Sequence, residues 1–174
     1  MKNKIYKGNC VEVLPKVKNK FDLIIIDPPY QEGYEKYFNL YKDKLKENGQ
    51  ILYFVQPTEV FNLPKPNQIL IWLEPISPKP IYKKYREFLD FIAWYAYGDY
   101  TFNKLLWNLM NSRFDDTIIR DKREHKWEKP KSLMKKLVLI HTNKGDSVLE
   151  PFVGSDNLLE VCKEVKRKYT GVKL

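Results

Sequence analysis

Residues 21–30 read Phe-Asp-Leu-Ile-Ile-Ile-Asp-Pro-Pro-Tyr, and this stretch limits the fold more than any other. A short β-branched run with no polar alternation is the pattern of a strand covered on both faces, as in a parallel sheet. Pro28 and Pro29 stop it, because neither has an N–H to give to a ladder. Asp27 and Tyr30 are therefore expected on a stiff turn at the strand's carboxyl end. In open α/β sheets that edge is where ligands bind.

The rest of the chain alternates in the way such a sheet requires. Hydrophobic spacing predicts strands at 4–7, 22–26, 50–55, 68–74, 89–97, 147–150 and 168–173. It predicts helices at 10–17, 34–47, 104–111, 130–142 and 156–166, with Asn48-Gly49 ending the second. Leu158, Leu159, Cys162 and Val165 keep helical spacing, so that face belongs to the core. Phe91, Trp94, Tyr95, Tyr97, Tyr100, Phe102 and Trp107 form an aromatic cluster, read mainly as the core of a strand pair, although rings of this kind also stack bases. The fold class is α/β: a mostly parallel central sheet with helices on both faces.

The motif Asp27-Pro28-Pro29-Tyr30 resembles the catalytic motif of the amino-methyltransferases, which methylate exocyclic amines with S-adenosylmethionine. The chemistry accounts for the residue types. An adenine N6 lone pair is conjugated into the ring and is a poor nucleophile. The Asp27 carboxylate and the Pro28 carbonyl can accept both amine hydrogens and aim the lone pair at the methyl donor. Tyr30 offers a face for a base extruded from a duplex. Further segments extend the resemblance over nearly the whole chain, with the middle third weakest. Asp146-Ser-Val-Leu-Glu150-Pro151-Phe152-Val-Gly154-Ser155 is similar to the cofactor motif Asp-Pro-Phe-x-Gly-Ser-Gly. Lys129-Pro130 is similar to a Lys-Pro segment that opens a helix beside the cofactor. Ile5 to Asn9 matches a strand that usually ends in Gly-Asp, and the last strand normally ends Gly-(Ile/Val)-Glu.

The catalytic motif precedes the cofactor motif, which is the permuted order of the β class of DNA amino-methyltransferases. The resemblance thus implies a Rossmann-like methyltransferase fold, S-adenosylmethionine as cofactor and DNA as partner. Aspartate at the head of the motif is more typical of adenine-N6 than of cytosine-N4 enzymes. By the same resemblance Asp27 also borders the cofactor. Three positions depart from the pattern. Asp156 stands where a second glycine is usual; aspartate tolerates left-handed backbone and suits a helix start. Asn9 stands where Asp is common, and its amide oxygen still accepts from an adenine amine. Lys173 stands where an acidic residue accepts from the ribose hydroxyls, and lysine has no acceptor.

At 174 residues the chain has room for a single methyltransferase domain, residues 1–174, and little for a separate target-recognition domain. Net charge is +9 with a pI near 9.3, which suits a polyanion whose counterions are released on binding. The basic group Lys122, Arg123 and Lys126 is the candidate nucleic-acid contact. Cys10 and Cys162 are far apart and without histidine partners, indicating neither a metal site nor a disulfide framework. His125 and His141 read as surface or packing residues. No apolar run approaches membrane-spanning length, so the expected location is cytoplasmic, and a symmetric homodimer is the expected assembly. Two functions fit these residues: a working adenine-N6 methyltransferase, or a methyltransferase-fold binding module whose catalysis is weakened or lost. Cytosine-N4 and RNA amine targets remain open beside the first.

Overall fold

The protein is seen in a computed structural model that describes residues 3–29, 33–73, 89–103, 113–114 and 128–174. Its frame is an eight-stranded sheet: β1 (Lys4–Lys7), β2 (Phe21–Ile26), β3 (Leu45–Val55), β4 (Gln68–Leu73), β5 (Leu89–Ala96), β6 (Arg113–Phe114), β7 (Ser147–Glu150) and β8 (Lys168–Lys173). The spatial order is β1-β8-β7-β2-β3-β5-β4-β6. The first five strands in that order are mutually parallel, whereas β5 runs antiparallel to both β3 and β4. The carboxyl ends of β1, β8, β7, β2 and β3 therefore share one edge, and the start of β5 arrives at the same edge.

Among the described residues the α-helices are α1 (Cys10–Val13), α2 (Phe38–Lys42), α3 (Lys131–His141) and α4 (Asn157–Glu164). Because strand side chains alternate, β2 feeds two cores. Leu23 and Ile25 pack toward α3 and α4, against Leu133, Leu137, Leu158 and Val161. Ile24 and Ile26 pack toward α1 and α2, against Cys10, Leu14, Phe38 and Tyr41. The β-branched run is buried on both sides, as its composition requires.

Every predicted strand among the described residues is present, and a short β6 is added. Residue 74, the end of the expected 68–74 strand, and the expected helix 104–111 with Trp107 lie outside the described residues, as does His125. The expected helix 34–47 is corrected. A 3-10 turn at Tyr34–Tyr37 leads into α2, which stops at Lys42, and β3 has begun by Leu45. Asn48-Gly49 does not end a helix. It lies in a bulge where the pairing jumps from Phe21–Leu45 to Leu23–Gln50. Asn48 Oδ1 accepts from the Asp99 N–H at 3.1 Å, which anchors the bulge to the turn after β5. The 10–17 helix is also shorter: α1 is followed by a 3-10 turn at Leu14–Lys16 around Pro15.

His141 is a packing residue. Its Nδ1 lies 2.9 Å from Gln50 Oε1, which also accepts from Trp94 Nε1 at 3.0 Å, and burial pushes the imidazole down to about 3. In the aromatic cluster Trp94 and Tyr95 are buried. Phe102 packs on Trp94 with centroids 5.6 Å apart. The core reading of these rings therefore holds, although Tyr100 is exposed.

Candidate active site at the carboxyl edge of the sheet

Asp27 is the first residue past β2 and continues the face of Leu23 and Ile25, the α3 side. Pro28 is buried and Pro29 exposed, so the turn is fixed on one side and open on the other. Lys129, just before α3, points its ammonium at this carboxylate: Nζ is 3.0 Å from Asp27 Oδ1. The same nitrogen is 3.6 Å from Asp90 Oδ2 on β5. It also lies 5.2 Å from the Phe54 ring centroid and 5.6 Å from that of Trp72. A buried ammonium is tolerated only when paired in this way. The Lys129 carbonyl accepts from Asn157 Nδ2 at 3.0 Å, joining the start of α3 to the start of α4. Lys129, expected beside the cofactor, thus has its charged end at the Asp27-Pro28-Pro29 turn. Pro130 is the residue that caps α3.

The cofactor-motif residues line the neighbouring part of the edge. Glu150 closes β7 and is buried, with the Tyr169 hydroxyl donating to its Oε2. Burial pushes its carboxyl up to about 8; the Tyr169 hydrogen bond opposes this, while the charges of Asp27 and Asp156 add to it. Pro151 is buried and Phe152 half-buried. The Phe152 ring meets Tyr34 edge-on at 4.7 Å between centroids. Gly154, Ser155 and Asp156 form the loop into α4. Asp156 is the N-cap residue with φ −86° and ψ 4°. The left-handed backbone that would have demanded glycine there is absent, so the substitution adds a side chain without adding strain.

Asn9 and Lys173 come together because β1 and β8 are neighbours: the Gly8 N–H donates to the Lys173 carbonyl at 2.8 Å. The Val153 N–H donates to the Val172 carbonyl at 2.9 Å, which brings the Phe152 segment alongside. The Asn9 side-chain oxygen accepts from the Val11 N–H at 3.0 Å and caps α1, so the asparagine has a structural use besides any ligand contact. Lys173 is exposed. A cleft of about 270 Å³ opens beside this corner, lined by Asn9, Val11, Glu12, Tyr34, Lys36 and Tyr37. The edge thus gathers Asn9, Asp27, Lys129, Pro130, Glu150 to Phe152, Gly154 to Asp156 and Lys173. Tyr30 and the basic group Lys122, Arg123 and Lys126 lie outside the described residues.

Asp90 and Tyr169 were not anticipated as parts of this site. For Asp90 the signal was present, since in 89–96 it keeps the alternation of Ile92 and Trp94 and so shares their face. Among the described residues, no helix is long and apolar enough to cross a membrane. Among the same residues, no group of three His, Cys, Asp or Glu side chains is placed to hold a metal ion.

Comparison with known proteins gives a consistent picture. The family model for DNA methylases of the N6/N4 type matches residues 21–174. The type II methyltransferase M.HpaI of Haemophilus parainfluenzae is 40% identical over 53 residues, 30% of this chain and 17% of that protein. The DNA adenine methyltransferase YhdJ of Escherichia coli (strain K12) is 30% identical over 69 residues, 40% of this chain and 22% of that protein. These alignments span less than a quarter of either relative. The crystal structure of the M1.HpyAVI–SAM complex superposes with a TM-score of 0.79 at 25% identity, covering 98% of this chain and 92% of that one.

Proposed function

Because the chain belongs to the N6/N4 DNA methylase family, we propose that it transfers a methyl group from S-adenosylmethionine to the N6 amine of adenine in DNA. The observation that carries this reading is the Asp27-Pro28-Pro29 turn, set at the edge where the Gly154–Asp156 loop, Phe152 and Asn9 converge. Asp27 and the Pro28 carbonyl accept the two amine hydrogens, which draws the nitrogen toward tetrahedral geometry, so that its lone pair is freed from conjugation with the ring and faces the methyl donor. When bound, S-adenosylmethionine supplies an electrophilic methyl group on a sulfonium. Transfer would join the methyl carbon to the amine nitrogen with the C–S electron pair left on sulfur, and the proton shed by the methylated amine would pass to solvent. Tyr30 stacks on the extruded base. Aspartate at the head of the motif favours adenine over cytosine, and YhdJ is a relative named for adenine. Digestion of methylated DNA to nucleosides tests the choice: N6-methyladenine is expected, and N4-methylcytosine would reassign the target.

The cofactor's methionine end lies toward Gly154, Ser155 and Asp156, where the start of α4 presents the positive end of its dipole. Its adenine lies toward Phe152 and Asn9, and its ribose toward Lys173. Lysine cannot accept from ribose hydroxyls, whereas a hydrogen bond from a hydroxyl to a charged carboxylate contributes on the order of 1.5–3 kcal/mol. Lys173→Glu is therefore expected to tighten cofactor binding by about tenfold to a hundredfold, read by titration calorimetry. No binding by either protein, with both folded, would favour a binding module without catalysis.

Duplex binding is expected to weaken steeply with salt. Replacing Lys122, Arg123 and Lys126 together by alanine should flatten the slope of log K against log salt by about 2–3, near 0.9 for each phosphate that is no longer neutralised. An unchanged slope would place the DNA footprint elsewhere.

A further inference from the structure

Asp90 plays no part in the chemistry described so far, yet the sheet delivers it to the catalytic carboxylate. On β5 the alternation that buries Ile92 and Trp94 on the α3 face carries Asp90 to that face as well. It stands one residue beyond the terminal β3–β5 pair, Val55–Phe91, and so reaches the edge where β2 ends. Lys129 Nζ is within reach of both acids, 3.0 Å from Asp27 Oδ1 and 3.6 Å from Asp90 Oδ2. The Lys129 side chain is 6% exposed, that of Asp90 13% and that of Asp27 26%. The lysine is the enclosed centre, and Asp27 is the end that meets the ligand space.

We propose that Asp90 is a positioning residue for methyl transfer, acting through Lys129 to set how tightly the Asp27 carboxylate is held and to keep part of it available to the target amine. This role rests on the reading of Asp27 as the acceptor of the amine hydrogens. An ammonium shielded from water closes strongly on whatever carboxylate it has. With one acid it would occupy the oxygens that the amine needs. A second acid within reach of the same nitrogen shares its charge and loosens its hold on the first. Two further acids bear on Asp27 from neighbouring elements: Glu150 at the end of β7 and, through Glu150, Asp156 at the start of α4. Neither contacts Lys129 in the way Asp90 does.

Two substitutions move Asp27 in opposite directions if this holds. Asp90→Asn removes a negative charge 3.6 Å from Lys129 Nζ, so the ammonium is left more fully to Asp27 and the Asp27 titration midpoint falls. Lys129→Met leaves two acids facing each other, so the midpoint rises. Both are read by carbon-13 NMR titration of the aspartate side-chain carboxyls, with Asp27 assigned from the Asp27→Asn spectrum. In the same proteins Asp90→Asn is expected to lower kcat about tenfold, with the S-adenosylmethionine Kd within twofold of wild type and the acid limb of the rate profile displaced downward. Asp90→Glu should restore both readouts. An Asp27 midpoint unmoved by Asp90→Asn in a folded protein would overturn the proposal, and so would a moved midpoint with unchanged kcat. Should the wild type transfer no methyl group, the functional reading falls, while the titration still decides whether Asp90 governs Asp27. Should Lys129→Met fail to fold, Asp90→Asn and Asp90→Glu decide alone.

Discussion

Asp27→Ala is expected to lower kcat for methyl transfer by about a hundredfold to a thousandfold, the range seen when one preorganised polar group is taken from a transition state. Cofactor affinity should change less than the rate, because the proposed partner of the carboxylate is the target amine. The fold should survive. Asp27 is the partly exposed member of its ion pair, and Lys129 keeps Asp90 at 3.6 Å. Asp27→Asn is the informative companion: the amide keeps an acceptor oxygen but loses the charge, so its rate should fall between the two. Single-turnover kinetics with saturating cofactor separates this chemical effect from binding.

The second large effect is on stability and involves Glu150. Burial pushes its carboxyl up from 4.5 to about 8. The folded protein therefore holds a proton that the unfolded chain releases near pH 4.5. The stabilisation from that proton is complete below the unfolded value and is lost as pH rises through about 8. One pKa unit is worth about 1.4 kcal/mol, so this group alone should cost about 3 kcal/mol between pH 5.5 and 8.5. Glu150→Gln keeps the shape and an acceptor for the Tyr169 hydroxyl but cannot ionise. Its unfolding free energy should lose about 3 kcal/mol less than the wild type over the same interval. Urea unfolding at three pH values checks this, and parallel curves for the two proteins would contradict it.

Much of this architecture was legible in the sequence, for identifiable reasons. Strands buried on both faces carry dense β-branched runs, and Ile24 to Ile26 announced β2 together with the Asp27 turn. The boundary strands carried alternation or turn residues and were placed to within a few positions, apart from β3. The helix expected over 34–47 failed because Leu40, Tyr41 and Leu45 keep helical spacing although two different elements use them. Tyr41 packs from α2, whereas Leu45 pairs with Phe21 in the sheet. Spacing alone cannot tell those uses apart, and the bulge at Asn48-Gly49 hides the start of the strand. At the candidate site, motif chemistry singled out residues that the structure places just past strand ends, Asp27 after β2 and Pro151 after β7. The pairing of Lys129 with Asp27 and Asp90 was not, because 102 positions separate Lys129 from Asp27 and only the strand order brings them together. Glu150 was recognised as a motif residue, but its buried contact with Tyr169 depends on the β7–β8 pairing.

The central claim is that the turn at Asp27 directs methyl transfer to an amine of DNA. Its most direct test is incubation of wild-type protein and Asp27→Ala with methyl-labelled S-adenosylmethionine and unmodified genomic DNA, followed by nucleoside analysis. Label recovered as N6-methyladenine from the wild type, and at an initial rate about a hundredfold to a thousandfold lower from the variant, is the predicted result. Wild-type protein that binds the cofactor yet leaves DNA unlabelled, or a variant that labels it as fast as the wild type, would contradict the account.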